Sequence, residues 1–359
     1  MKHSYLTAGI TLGNLNRLLR RNRIAFRPKY IVRILFLYQS AVWSSLFAFF
    51  DKTRFGKKLE NTPVPDNPIF IIGHWRTGST FLHQLMALDG QLKAPTLFEV
   101  AIPEGFLSSH LYYKPVMNSL LTKYRPMDKV RIGMDEPQED EYAIYRLTDL
   151  SPLEGLVFPA SQGYFLKNYP SFVPDGEKGE KWEQEVLEFY RKLYLKSGKI
   201  IISKNPFNSM RINTLSRIFP KARFIHIVRH PYDVVPSTIN MWSILHKQNC
   251  LNDLGGNPGT KDVTEILWTL LTTIRKELPV AGQSIEVKYE DLIADPITVL
   301  KKIYAETGLN YTSLFEERLQ AYLEDNEDFE KNAFSLSTEE KEQIASKLKD
   351  HMDFYGYQP

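Results

Sequence analysis

The stretch Ile69–His83, IFIIGHWRTGSTFLH, limits the folds open to this chain more than any other. It begins with Ile69-Phe70-Ile71-Ile72, an apolar run short enough for a buried strand and β-branched enough to prefer one. Gly73-His74-Trp75-Arg76-Thr77-Gly78-Ser79-Thr80 then reads as a tight loop, and Phe81–Met86 as a helix. A strand, a Gly-containing loop and a helix in succession aim backbone N–H groups and the positive end of a helix dipole at an anion. Arg76 adds a permanent charge on a forked donor set, and three hydroxyls add donors suited to phosphate or sulfate oxygens. The GxxxxGK[ST] spacing is read as failing here, so the loop should bind an oxyanion in another manner than an ATPase does.

Further strands can be read downstream. Lys199–Lys204, Arg223–Val228 and Ile285–Tyr289 are strand candidates, separated by helical patterns at Ser209–Phe219, Tyr232 to about His246, and Asp262–Glu277. Helices are also expected at Glu180–Ser197 and Pro296–Glu306. Ser337 and Glu340 stand in capping-box spacing, which opens a last helix reaching Met352. Alternating strands and helices imply an α/β fold with a mostly parallel sheet wrapped by helices. Ligands in such sheets sit at the carboxyl ends of the strands, where Arg76, Lys204 and Arg229 all fall.

At 359 residues, one large α/β domain with appendages or two domains are both open. The single cysteine, Cys250, excludes intrachain disulfides and multi-cysteine zinc sites and points to a reducing compartment. A net charge of +3 hides an asymmetry: residues 1–60 carry 12 Lys/Arg against 2 Asp/Glu, and the remainder carries 33 against 40. A basic, apolar arm on a mildly acidic body suggests an anionic membrane surface rather than nucleic acid, for which no recognition signature is present. Leu12, Leu15, Leu18 and Leu19 beside Arg17, Arg20, Arg21 and Arg23 form an amphipathic pattern within Met1–Lys29. Its basic face either stays in solvent while the helix packs on the body or lies on a membrane.

Ile34–Phe50 is uncharged for 17 residues but interrupted by Gln39, Ser40, Ser44 and Ser45. It sits at the lower edge of spanning length, so a monotopic or core-packed helical arm is expected. No signal-peptide pattern is seen, and the expected location is cytoplasmic, with membrane association if residues 1–60 touch lipid. The expected division is therefore a helical arm over 1–60 and one domain over 61–359, with an aromatic-rich region at about 94–174 inserted. Within that region Met134–Tyr142, MDEPQEDEY, is an acidic cluster whose following apolar stretch allows one or two carboxylates to be buried.

Arg76-Thr77-Gly78-Ser79-Thr80 resembles the 5′-phosphosulfate loop of sulfotransferases, enzymes whose donor is 3′-phosphoadenosine 5′-phosphosulfate (PAPS). Arg229, followed eight residues later by Ser237 on a strand–turn–helix, is similar to their 3′-phosphate motif. Lys-Tyr-Glu-Asp-Leu at 288–292 and Phe334–Glu340 also look like family segments, the latter of bacterial and carbohydrate-type members. The resemblance implies a P-loop-like central parallel sheet flanked by helices and no metal requirement. It implies that Arg76 grips the phosphosulfate while Thr77, Gly78, Ser79 and Thr80 cradle it, and that Arg229 and Ser237 bind the 3′-phosphate. Arg76 and Lys204 would stabilise charge on the leaving phosphate. Lys331 would close over the 3′-phosphate.

The acceptor hydroxyl needs a general base. Small-molecule sulfotransferases place a histidine two residues after the strand-end lysine, a position that Pro206 occupies here. Lys204-Asn205-Pro206 instead looks like the glycan and heparan enzymes, whose base is a glutamate downstream of the loop; Glu99 resembles it. Glu139 and Glu141 are alternatives, as are His74, His83 and His226, although His226 reads as a core residue. The aromatic content of 13% suggests a pocket built from Trp43, Phe98, Phe106, Tyr112, Tyr113 and Phe158. Such a pocket suits a small apolar acceptor, whether sterol, lipid or phenol. A saccharide acceptor is the alternative within the class. Outside it stand a P-loop-like nucleotide kinase, disfavoured by the missing lysine and Walker-B-like aspartate, and a membrane-associated binding protein without catalysis.

Overall fold

The computed structural model describes residues 6–22, 28–121, 133–162, 174–252, 258–326 and 334–358. Two compact units emerge: Met1–Val64 with Pro95–Gly198 and Trp242–Asn257, and Pro65–Ala94 with Lys199–Met241 and Pro258–Pro359. They cut the chain along different lines from the expected arm at 1–60 and domain at 61–359. Residues 1–64 cluster with 95–198 in a single unit.

In the first unit, α1 spans Leu12–Arg21. Leu15 and Leu18 are sealed from solvent, while the arginines turn onto carboxylates. Arg17 Nε pairs with Asp149 at 2.8 Å, and Arg21 pairs with Asp149 at 2.9 Å and Glu154 at 2.8 Å. Two charges of the basic face thus close on acids some 130 residues away in sequence. The uncharged run Ile34–Phe50 belongs to a longer helix, α2, Pro28–Glu60. Polar interruptions explain why α2 rests on its own unit. Ser40 and Ser45 accept the backbone N–H groups of Gly9 and Leu12, both at 2.9 Å. Buried Asp51 accepts from the N–H groups of Leu107 and Ser108 and pairs with Lys192 at 3.1 Å.

The second unit holds the sheet. β1 (Ile69–Ile72), β2 (Leu92–Lys93), β3 (Ile200–Lys204), β4 (Arg223–Val228) and β5 (Ser284–Lys288) run parallel in the order β2-β3-β1-β4-β5. All four expected strands form, within a residue or two of their expected ends. β2 has two residues, too few for any periodicity. The first strand lies at the centre, so the chain leaves it to one side for β3 and to the other for β4. Such a reversal opens a crevice at the carboxyl ends of the strands. Ile69, Ile71, Ile202, Ile225 and Ile227 pack one face under Leu82, Leu85 and Met86 of α3 (Ser79–Ala87). Phe70 turns to the other face, 5.5 Å from Phe224 and 5.8 Å from Phe219 between ring centroids.

The helix Pro231–Asn249 follows β4, and this unit's further helices include Thr260–Glu277, Pro296–Thr307 and Thr338–Tyr355. The last has the expected capping box, Ser337 with Glu340. The expected helix at Ser209–Phe219 is instead a 3-10 turn, Pro206–Met210, followed by a helix at Ile212–Ile218. Asn205 caps that turn, its side-chain oxygen accepting the N–H of Phe207 at 2.9 Å.

Candidate active site

The loop between β1 and α3 is held open by glycines that nothing larger could replace. Gly73 has φ +141° and passes so close to β4 that an added Cβ would stand 2.4 Å from the Ile227 carbonyl oxygen. Its N–H donates to the Ser209 hydroxyl at 2.9 Å, and that hydroxyl lies 3.2 Å from the Gly73 carbonyl. Gly78, at φ +89°, precedes α3 and lies against the Tyr289 ring, 2.1 Å from where a Cβ would be. Gly73 and Gly78 in fact keep the Walker spacing; the departure is Ser79 in the place of the lysine. Neither an acidic residue in the first turn nor a side-chain cap covers the start of α3.

Between the glycines, Arg76 adopts φ +68°, an unfavourable backbone for a side chain of its size. Two long-range contacts hold it. Its Nε donates to the Ser237 hydroxyl at 2.8 Å, and its carbonyl accepts from an Arg229 terminal nitrogen at 3.2 Å. The other Arg229 terminal nitrogen pairs with Asp233 at 3.1 Å, while the guanidinium lies 4.4 Å from the Tyr289 ring centroid. Arg229 Nε is buried without a hydrogen-bond partner among the described residues. The loop and the Arg229–Ser237 pair therefore share one place at the adjacent ends of β1 and β4.

Thr77 donates to the His74 carbonyl at 2.8 Å, and His74 Nδ1 donates to the Trp75 carbonyl at 2.9 Å. Trp75 in turn meets Phe207 edge to face at 4.9 Å. Burial pushes His74 down to about 4. His83, on the buried side of α3 with Nε2 3.4 Å from the Ile202 carbonyl, is pushed down to about 3, first by burial and then by the charge of Lys204. Lys204 closes β3 in register with Ile71 of β1 and is almost fully buried. His226 lies inside β4, fully buried, with Tyr355 at 6.0 Å ring to ring.

The carboxylates proposed as bases belong to the other unit. Thr96 and Glu99 form a capping box on the helix Leu97–Ala101: one Glu99 oxygen accepts the Thr96 N–H at 2.9 Å, and the other pairs with Lys196 at 2.8 Å. Glu141 is fully buried and accepts the Ser151 hydroxyl at 2.6 Å; Glu139 lies at the edge of burial. The six aromatic residues expected to form one pocket separate. Phe98, Phe106 and Phe158 are sealed in the core, whereas Tyr112 is 79% and Trp43 45% exposed. Lys331 lies outside the described residues. Sequence reasoning passed over Ser209 and the ring of Tyr289. An aromatic residue just after a strand was the available signal for Tyr289, but Ser209 left none.

A model of the sulfotransferase family matches residues 68–313. The omega-hydroxy-beta-dihydromenaquinone-9 sulfotransferases Stf3 of Mycobacterium bovis and Mycobacterium tuberculosis are each 33% identical over 358 residues, 98% of this chain and 91% of theirs. Among solved structures, sulfotransferase STF9 from Mycobacterium avium superposes with a TM-score of 0.66 at 15% identity, covering 97% of both chains, which speaks to the fold. A strand-end loop shaped around two glycines and two arginines, a family match over the whole sheet and a third of the residues shared almost end to end lead to one assignment: this chain belongs to the sulfotransferase family and is a sulfuryl-transferring enzyme of P-loop-like α/β fold.

Proposed function

We propose that the chain moves a sulfuryl group from PAPS to the hydroxyl of a long apolar alcohol, a lipid of the hydroxylated isoprenoid-quinone kind. The observation that carries the donor reading is the joining of Arg76 to Ser237 and of Arg229 to the Arg76 backbone. Two cations and a hydroxyl at one strand-end crevice suit a nucleotide with anionic groups at both its 5′ and 3′ positions. The unpartnered, buried Nε of Arg229 supports this, since a phosphate oxygen would satisfy it. The acceptor reading rests on the relatives, whose name states that they act on an omega-hydroxylated menaquinone.

In this reading Arg76 and the N–H groups of Thr77 to Thr80 hold the phosphosulfate, and Arg229 with Ser237 holds the 3′-phosphate. Glu99 takes the acceptor proton as the acceptor oxygen forms its bond to sulfur. The bond from sulfur to the bridging phosphate oxygen breaks, and its electron pair leaves with that oxygen, where Arg76 and Lys204 stabilise it. The capping-box bond and Lys196 orient the Glu99 carboxylate; Glu139 and Glu141 remain the alternatives for the base. The aromatic-rich segment at about 94–174 is the proposed source of acceptor-binding residues.

Incubation with sulfur-labelled PAPS and a panel of hydroxylated menaquinone analogues, sterols, phenols and sugars tests the whole reading. Label in the quinone fraction, lost in Glu99→Gln, is expected. Label confined to sugars would replace the lipid acceptor. Magnesium-dependent ATP binding, with none for 3′-phosphoadenosine 5′-phosphate, would remove the donor assignment.

A further inference from the structure

The first unit carries a surface that sulfuryl transfer does not explain. Along α2, Ile31, Leu35, Tyr38, Val42, Leu46 and Phe49 recur at spacings of three or four residues and are each at least a third exposed. Such spacing puts them on one side of the helix, a stripe about 30 Å long at 1.5 Å per residue. The opposite side is committed to the unit, with Ile34, Leu37, Ala41 and Ser44 buried. A second exposed apolar group, Leu111, Tyr112, Val116 and Leu120, lies in the same unit. Within that segment Tyr113 packs on α2, its ring 6.5 Å from Trp43 and 5.1 Å from Phe47. Exposed apolar surface of this extent marks a docking face.

Charge identifies what docks. No acidic residue lies on α2 before Asp51, which is buried and paired with Lys192. Beyond the stripe the helix continues with exposed Lys52, Arg54, Lys57 and Lys58, set against exposed Glu60 alone. An apolar stripe and a basic cluster on one helix suit an anionic bilayer, whose surface offers acyl chains to the one and phosphate headgroups to the other.

The helix is long and apolar enough to cross a membrane. Its bonds to Gly9, Leu12, Leu107 and Ser108 tie it along the unit instead. We propose that the stripe of α2, with Leu111–Leu120, seats the chain in the plane of an anionic membrane surface. Because α2 is independent of the donor loop, the inference does not rest on the donor reading.

Sedimentation of the purified full chain with vesicles tests this without donor or acceptor. Binding is expected to vesicles of equal phosphatidylglycerol and phosphatidylcholine, and weaker binding to phosphatidylcholine alone or at high salt. The triple variant Leu35→Glu/Val42→Glu/Phe49→Glu changes only exposed side chains and should lower the partition coefficient about tenfold or more. Lys57→Glu/Lys58→Glu should lower it only on the anionic vesicles. Circular dichroism and melting temperature should match the parent in both. An unmodified chain that stays in the supernatant, or a triple variant that binds equally, overturns the proposal. So does a stable dimer in solution that the triple variant dissociates and that ignores vesicles, since a second copy would then cover the face.

Discussion

Arg76 and Asp149 are the two non-glycine residues with positive φ among those described, and each lies in a different unit. Asp149, at φ +52°, ends the helix Glu141–Thr148. A left-handed residue is a common way to stop a helix, and aspartate tolerates it, so the local fold accounts for the conformation. Its side chain then serves packing by neutralising Arg17 and Arg21. Arg76, at φ +68°, caps nothing. Its conformation is maintained by Ser237 and Arg229, drawn from elsewhere in the unit. Strain that terminates a helix is cheap and structural, whereas strain fastened from a distance aims a charged group. That difference supports the proposal that chemistry is done at the strand-end crevice.

The comparison can be broken most decisively with glycine at both positions. Arg76→Gly should lower sulfuryl transfer about a thousandfold. Stability should stay within about 1 kcal/mol, because relief of the left-handed backbone offsets the added freedom of glycine. Steady-state rates and a urea titration together check this, and a collapse of stability would make Arg76 structural. Asp149→Gly should do the reverse. It should cost about 2 kcal/mol, since Arg17 and Arg21 lose an acid partner, and leave donor binding intact. A weakened donor affinity in that variant would erase the contrast.

Acid sharpens the Arg76 side. His74 and His83 are held neutral in the fold, at about 4 and about 3, but charge in the unfolded chain near 6.5. The unfolded state therefore binds more protons below about 6.5, and stability falls as pH drops from there towards 4. Above that window these groups contribute no slope. The loss measured by urea titration is expected to be on the order of a few kcal/mol between pH 7 and 4.5, and His74→Gln should remove about half of it. The smallest effect belongs to Ser237→Ala. Removing one hydroxyl that accepts from Arg76 should raise the donor KM roughly fivefold with kcat little changed. A fall in kcat alone would mean that Ser237 acts on the reacting sulfur.

Much of this contrast was written in short-range patterns. The run at Ile69–Ile72 and the glycines after it are legible because strand, turn and helix signals lie within fifteen residues. Thr96 and Glu99 also carried one, the spacing of a capping box, so the tie between Glu99 and its own helix could have been anticipated. What stayed hidden depends on partners far along the chain. The arginines of α1 read as a free basic face because nothing nearby announces Asp149 or Glu154. Tyr289 is 211 residues from Gly78 in sequence, yet its ring sets how small that residue must be. The two-residue β2 has no period to read. The aromatic count suggested one pocket, but it could not say which rings face inward.

The central position of β1 has a consequence for biosynthesis. Its neighbours are made long after it, and the hydroxyl that fastens Arg76 follows by 161 residues. A nascent polypeptide released only as far as β3 has the loop in full but not the groups that shape it. Pairings this distant in sequence form late and slowly. Donor affinity should therefore arise in a single event, once β4 and Tyr289 have left the ribosome, and a truncated translation product would not sequester the nucleotide.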